Sequence, residues 1–306
     1  MLLRAAGQRR AFASISNSNI TQPFAVFDRN VKRIQRDRAA SKNGGEDSRT
    51  VDYLRNEVAD RMIERLLDIK RTYNSILDVG SGPGHFSRLI ESKLTKKVVM
   101  LDMSEKTLRR DDDSEFEGKW LIPVERIHAD EENLLQAIAP GSQEAVVSCL
   151  SLHWVNDLPG VLVQIREVLR TDGVFLGALL GGDTLFELRT ALQLAELERE
   201  GGISPHISPM TDTRDVSNLL GRAGFSLLTV DIEDVTVAYP SMFELLQDLG
   251  DMGEGNAVIG SRHLLHRDTL MAASAAYQAL HGNEDGTIPA TFQVIFLVMR
   301  SLSLYE

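Results

Sequence analysis

The 306-residue chain is 43 % apolar and 25 % charged, with 33 Lys and Arg against 44 Asp and Glu and a net charge of −11. That acidic balance argues against nucleic acid as a bulk partner, because phosphate binding needs clustered Lys and Arg. The longest apolar runs fall short of the roughly 18 residues of a membrane span. Peripheral membrane contact stays open, and the length suits one large domain or two small ones.

Residues 1–27 contain no Asp or Glu but carry Arg4, Arg9 and Arg10, followed by Ser14, Ser16 and Ser18. Leu2, Leu3, Ala6 and Phe12 share a helical face opposite the arginines. This composition fits a mitochondrial transit peptide and tail over residues 1–23, with a cleavage region after Arg10, near residue 12 or 13. A disordered basic tail is the plainer alternative. Residues 24–48 form a basic arm: Arg29, Lys32, Arg33, Arg36 and Arg38 face only Asp28 and Asp37 up to residue 40, which reads as a short helix. A solvated or packing helix is its ordinary role; contact with an acidic partner or a membrane surface is the functional one. The glycine-containing stretch 41–48 is a loop.

From residue 49 onward one domain is expected. Leu54, Val58, Met62, Leu66 and Ile69 recur at three- and four-residue steps, so residues 53–69 make an amphipathic helix. Strands and helices then alternate. Strands are expected at 75–79, 97–101, 120–128, 144–150 and 174–180. Helices are expected at 84–93, from Ser104, and at 159–170, the last stopped by Thr171-Asp172-Gly173. Such alternation means a parallel sheet with helices on both faces. Helices at 184–200, 213–223, 242–249 and 264–280, with strands at 225–237 and 292–299, complete a doubly wound α/β fold. Its sheet has seven mostly parallel strands, and helical insertions fill its C-terminal half.

Residues 76–84, Ile-Leu-Asp-Val-Gly-Ser-Gly-Pro-Gly, end the first strand in a glycine turn. Glycine belongs where backbone must approach a ligand closely, and a helix following near His85 would aim its positive end at that ligand. In doubly wound sheets ligands bind at the carboxyl ends of the strands. Three acids stand there. Asp78 lies inside the turn. Asp102 ends the second strand, placed to accept both hydroxyls of a ribose. Asp130 follows the third, placed to accept from an adenine amino group while Ala129 offers a backbone donor. A dinucleotide fingerprint needs glycine at its first, third and sixth positions; here those are Gly80, Gly82 and His85. Gly84 takes the fifth instead. No Gly-Lys-Ser/Thr follows, which excludes a triphosphate cradle. The set resembles class I S-adenosylmethionine-dependent methyltransferases, with a Rossmann-like sheet. Ser81, Met103 and Cys149 complete the candidate cofactor residues. Cys149, the single cysteine, lies in an apolar run, where a buried inert thiol is the ordinary reading. A chain with one cysteine suits a reducing compartment such as the cytosol or the mitochondrial matrix.

His128-Ala129-Asp130 has the His-x-Asp spacing of an iron facial triad, but that triad belongs to a double-stranded β-helix, so a strand end with an adenine contact is favoured. After the fourth strand, His153 is a candidate base and Trp154 a stacking surface for a guanidinium; the ordinary alternatives are a surface cap and packing. The loop 204–209, with two prolines and His206, is a candidate lid. Glu254, His263 and His266 are assigned no role. No three-ligand metal set and no flavin motif stands out.

Beyond these motifs the chain resembles the mitochondrial complex I assembly factor 5 family, described as arginine hydroxylases on a methyltransferase fold. The matching runs are 27–40 (FDRNVKRIQRDRAA), 78–86 (DVGSGPGHF), 151–158 (SLHWVNDL), 181–189 (GGDTLFELR), 193–210 (QLAELEREGGISPHISPM), 220–230 (LGRAGFSLLTV), 239–244 (YPSMFE), 265–269 (LHRDT) and 283–292 (NEDGTIPATF). They extend along most of the chain, including the half that generic methyltransferases do not share. The malonyl-carrier methyltransferase of biotin synthesis looks similar in the core. The resemblance implies a matrix location, peripheral to the inner membrane, and hydroxylation of an arginine on an iron–sulfur subunit early in complex I assembly, alongside other assembly factors. It carries the cofactor role to Asp78, Gly80, Gly82, Gly84, Asp102 and Asp130, and carries no catalytic residue. An oxygen-activating cofactor is required and is not identified. The alternatives are methyl transfer to a protein or acyl carrier, and a non-catalytic assembly chaperone.

Overall fold

The structure, a computed structural model, describes residues 25–111, 122–261 and 265–301. The expected transit peptide, the start of the third strand at Trp120, and His263 lie outside the described residues.

The arm opens with α1 (Arg29–Ser41), capped by Asp28, whose carboxylate accepts from the Val31 N–H at 3.0 Å. A left-handed turn through Asn43, Gly44 and Gly45 leads to the short α2 (Glu46–Thr50). Helix α3 (Tyr53–Asp68) buries Leu54, Val58, Met62 and Leu66, the stripe its periodicity requires. Then come β1 (Ile76–Val79), β2 (Val98–Asp102), α4 (Glu105–Leu108), β3 (Val124–His128), α5 (Leu134–Ala137) and β4 (Gln143–Cys149). Helix α6 (Leu158–Val168) leads into β5 (Leu169–Leu180). The C-terminal half adds α7 (Phe186–Arg199), α8 (Thr213–Arg222), β6 (Ser226–Tyr239), α9 (Met242–Asp251), α10 (Arg267–His281) and β7 (Ile288–Ser301).

The seven strands form one sheet in the order β3-β2-β1-β4-β5-β7-β6. The pairs from β3 to β5 are parallel; β7 runs antiparallel to both β5 and β6. Parallel strands covered on both faces need unbroken apolar runs, and β1, β2 and β4 are buried at every position. Side chains alternate between two cores. Ile76, Met100 and Val147 pack with α3 on one face, while Leu77, Leu101, Val146 and Phe175 pack with α6 on the other. The outer edge, β6, is tied down by Arg61 to Glu233 and Arg65 to Asp231, each at 2.7 Å.

The helix expected at 84–93 does not form. The segment makes one α-type bond, from Arg88 N to Gly84 O at 2.9 Å, then tightens to i→i+3 bonds from Leu89 N to Phe86 O and from Ile90 N to Ser87 O, and Ile90 then extends. Gly84 is left-handed at φ +97°, and the Ser87 hydroxyl is pinned to Asp78 at 2.6 Å, so the chain turns before it can coil. The dipole invoked for this turn is therefore that of a single short turn, not of a helix. The helix at Ser104 does start there, with its hydroxyl accepting from Thr107 N, but α4 lasts one turn. Strand β5 begins five residues before the expected 174, because Leu169 pairs with Gln143 before the left-handed Asp172.

Candidate functional site

Strands β1, β2 and β4 deliver their carboxyl ends to one place. Gly80 and Gly82 have φ of +66° and +57°, the left-handed region that glycine enters without strain. Gly80 is also required by space: a Cβ there would lie 2.0 Å from Ser151 Oγ, beyond the end of β4. The turn is held by Gly80 N and Ser81 N, which donate to Leu101 O at 2.7 and 3.0 Å.

Asp102 is 1 % exposed and accepts from Gly82 N at 3.0 Å and from Ser104 N at 2.7 Å. These bonds fix its carboxylate and leave lone pairs for further donors. Asp78 is fully buried. Ser87 donates to its Oδ2, while its Oδ1 has no hydrogen-bond partner among the described residues. Burial raises its pKa to about 7, against the Ser87 bond and with help from the charge of Asp102.

Two expectations change here. Ala129 does not offer its N–H to a ligand, because that N–H donates to Asp102 O at 3.2 Å in the strand ladder. Asp130 Oδ1 is already engaged, paired with Arg29 Nη2 at 2.8 Å and capping Glu132 N at 3.0 Å, so an amino group would have to share or displace that arginine. His128 Nε2 lies 3.1 Å from the Met103 carbonyl, at the edge of a mostly parallel sheet that is not the double-stranded β-helix of a facial triad. Met103 is buried beside Asp102, and Cys149 is buried at the end of β4 with its thiol pushed up by burial.

Sequence reasoning missed Glu131. Its side chain is wholly buried and ion-paired with Arg29 and, at 3.7 Å, with Arg36. Its local signal was the acidic run 130–132; its partners lie about a hundred residues earlier. The arm supplies them by lying across the strand ends. Asp37 accepts from Ser104 Oγ at 2.7 Å, and Asn156 Oδ1 accepts from Val26 N and Phe27 N, both at 2.8 Å. Beneath the arm, a chamber of about 30 Å³ remains beside Gly80, Gly82, Asp102 and Cys149.

A second cluster follows β4. Trp154 Nε1 donates to Glu254 Oε2 at 2.5 Å, Arg55 pairs with the same carboxylate, and His153 Nε2 stands 3.6 Å from it. Burial opposes ionisation of Glu254, but His153, Arg55 and Lys32 outweigh it and hold the acid well below the usual carboxylate range. Burial pushes His153 down, with Glu254 opposing and Arg36 and Lys32 assisting, so its ring is neutral at physiological pH and able to accept a proton. Neither ring nitrogen has a hydrogen-bond partner among the described residues. Trp154 is 1 % exposed, with Lys32 Nζ over its ring and Phe27 packed edge-on, so the chain's own cation takes the stacking position expected for a guanidinium.

His153, Trp154, Arg55 and Glu254 line one end of a cavity of about 350 Å³, whose other walls are largely apolar, with Leu188, Leu246 and Phe292 among them. The expected lid is a wall of this cavity. His206 bonds the buried Glu196 at 2.6 Å, and Asn256 holds Pro205 O at 2.6 Å. The outer side of the same loop faces an open groove of about 600 Å³. Among the described residues no group of three His, Cys, Asp or Glu is disposed to hold a metal ion.

Comparison with known proteins agrees with this architecture. The model of a methyltransferase domain matches residues 51–230. Arginine-hydroxylase NDUFAF5, mitochondrial, of Danio rerio is 47 % identical over 292 residues, covering 95 % of this chain and 87 % of the relative. The Homo sapiens protein of the same name is 45 % identical, covering 95 % and 82 %. A malonyl-[acyl-carrier protein] O-methyltransferase of Laribacter hongkongensis is 34 % identical, covering 79 % and 81 %. Among solved structures, the YcgJ protein of Bacillus subtilis shares the fold at a TM-score of 0.52 and 13 % identity, covering 76 % of this chain and 94 % of its own. On this evidence the chain belongs to the NDUFAF5 family, built on a methyltransferase domain.

Proposed function

We propose that this protein is a mitochondrial enzyme that hydroxylates an arginine of an iron–sulfur subunit of complex I, early in the assembly of that complex. The observation that carries the reading is the 45–47 % identity, over 95 % of the chain, to proteins named arginine-hydroxylase, mitochondrial. We assign it a place peripheral to the inner membrane, as its family resemblance implies; no helix among the described residues is long and apolar enough to cross a membrane.

The cofactor read for the glycine turn is S-adenosylmethionine. The fixed carboxylate of Asp102 and the Asp78 Oδ1 left without a partner among the described residues suit a ribose and an amine, once the arm moves outward to make room. When bound, that cofactor supplies an electrophilic methyl group. Hydroxylation instead replaces C–H by C–OH. With dioxygen as donor this takes two electrons and two protons and forms water, which calls for an oxygen-activating partner. The chain's own contribution is to bind and orient. His153, itself buried, accepts a proton at one end of the cavity, the Glu254 carboxylate 3.6 Å from its Nε2 favours the protonated ring, and the apolar walls take the aliphatic stem of the substrate.

Mass spectrometry of the iron–sulfur subunit, from cells with and without this protein, tests the reading. A gain of one oxygen on an arginine is expected. A gain of one methylene would move the chemistry to methyl transfer, the reading favoured by the 34 % identity to the acyl-carrier methyltransferase. An unmodified arginine in wild-type cells would overturn both. If complex I then still depended on the protein and tolerated Asp102→Ala, its role would be that of an assembly chaperone.

A further inference from the structure

Arg29 and Arg36 are seven residues apart on α1, two helical turns, and so share one face. Each points at an acid on a neighbouring strand end. Arg29 Nη2 lies 2.8 Å from Asp130 Oδ1 and pairs with Glu131. Arg36 Nη1 lies 3.7 Å from both Asp102 Oδ2 and Glu131 Oε1, and Arg36 Nη2 donates to Ser151 Oγ at 3.3 Å. The arm thus brings two cations to the carboxylates a nucleoside would use, Asp102 through its ribose hydroxyls and Asp130 through its adenine amino group.

The fit of Arg36 is incomplete. Its Nη1 and Glu131 Oε1 are both buried and have no hydrogen-bond partner among the described residues, although buried polar groups are as a rule bonded. The arm's other attachments are better made. Lys32 Nζ donates to Gly253 O at 3.1 Å and to Gly255 O at 2.7 Å, and Asp37 takes the Ser104 hydroxyl. Arg36 Nη1 therefore gives up no hydrogen bond when a ligand takes its place, while the bonds of Arg29, Lys32 and Asp37 set the cost of moving the arm. The chamber left beneath it, about 30 Å³, is about a tenth of the smallest ordinary ligand site.

We propose that α1 is an intramolecular competitor of the cofactor: Arg36 and Arg29 occupy the nucleoside subsite, and S-adenosyl ligands bind by displacing them. This rests on the cofactor reading above. Hydrogen-bond donors on the ligand replace arginine N–H groups on the same carboxylates, so the two occupants exclude each other. The apparent affinity of the chain is its intrinsic affinity reduced by the fraction of molecules with the arm open.

The test is calorimetric titration of the full chain with S-adenosylhomocysteine, comparing wild type with Arg36→Met and with Asp37→Ala, which loosens the arm without touching the acids. Competition predicts tighter binding by both variants, by about ten-fold for Arg36→Met, within the ordinary range of such couplings. It also predicts that the ligand speeds chymotryptic cleavage at Phe27 in the wild type. Two variants keep the test decisive if one fails to fold, which thermal melting reports. Unchanged or weaker binding by the folded variants, or protection of Phe27 by the ligand, would overturn the proposal while leaving the cofactor reading intact. No binding by wild type or variants would overturn the cofactor reading and this inference with it.

Discussion

The amine of Lys32 lies 3.3 Å from the centre of the Trp154 ring, joining the N-terminal arm to the turn that follows β4. Lys32 is wholly buried, and burial draws it down to about 7 from 10.5, with Glu254 opposing and Arg36, Arg55 and Arg29 assisting. A lowered lysine favours folding where the unfolded chain is neutral too, above 10.5, and that advantage is lost as pH falls through about 7. Lys32→Met is expected to flatten the dependence of folding stability on pH between these limits. Urea melts at a series of pH values measure it, and a slope equal to wild type would refute the assignment.

Glu254 is the counter-charge of the second cluster. Glu254→Gln leaves the half-buried Arg55 and the buried Lys32 without the carboxylate they face. Loss of one partner from a buried pair costs about 3–5 kcal/mol, so denaturant unfolding should show a loss of about that size. Because the acid is held low in the folded state, its contribution is present above 4.5 and fades as pH falls below it. The variant should therefore be less sensitive than wild type to acid.

Gly80 and Gly141 separate two causes of strain. Both have positive φ, +66° and +61°, but a Cβ meets Ser151 Oγ at 2.0 Å in the first case and nothing within 4 Å in the second. Gly141→Ala should cost about 1–2 kcal/mol, the left-handed penalty alone. Gly80→Ala should cost more, and Ser151→Gly in the same chain should recover part of the excess. Equal losses at the two positions would show that conformation, not contact, governs the turn.

His153 carries the proposed proton transfer. His153→Gln keeps a polar side chain of similar reach but removes the base. Arginine hydroxylation, read by mass spectrometry, should fall by about 10²–10⁴-fold, with a melting temperature close to wild type. Full activity in that variant would assign the proton to another group.

Whatever rests on local pattern was legible in the sequence. The buried strands are continuous apolar runs, α3 shows its stripe, and the glycine turn with Asp102 behind it marks the ligand end of the sheet. Glu131, Arg36 and Arg55 were not legible as site residues, because each is defined by a partner far along the chain: Arg29 for Glu131, Asp102 for Arg36, Glu254 for Arg55. A basic arm and an acidic run are each ordinary surface features until the fold presses them together. The missing helix at 84–93 has a nearer cause. Phe86, Ile90 and Leu94 are buried as a helical stripe would require, but the bond from Ser87 to the Asp78 carboxyl commits the backbone elsewhere.

The strand order also constrains when the sheet can exist. Strand β7, C-terminal to the other described strands, lies between β5 and β6 and, among the described residues, is the only neighbour of β6 in the sheet. Until residues 288–301 are made, β6 has nothing to pair with, and β5 presents an open edge able to recruit foreign strands. The sheet therefore closes in one late step, and a chain cut short before Ile288 should be an aggregation hazard rather than a smaller working domain.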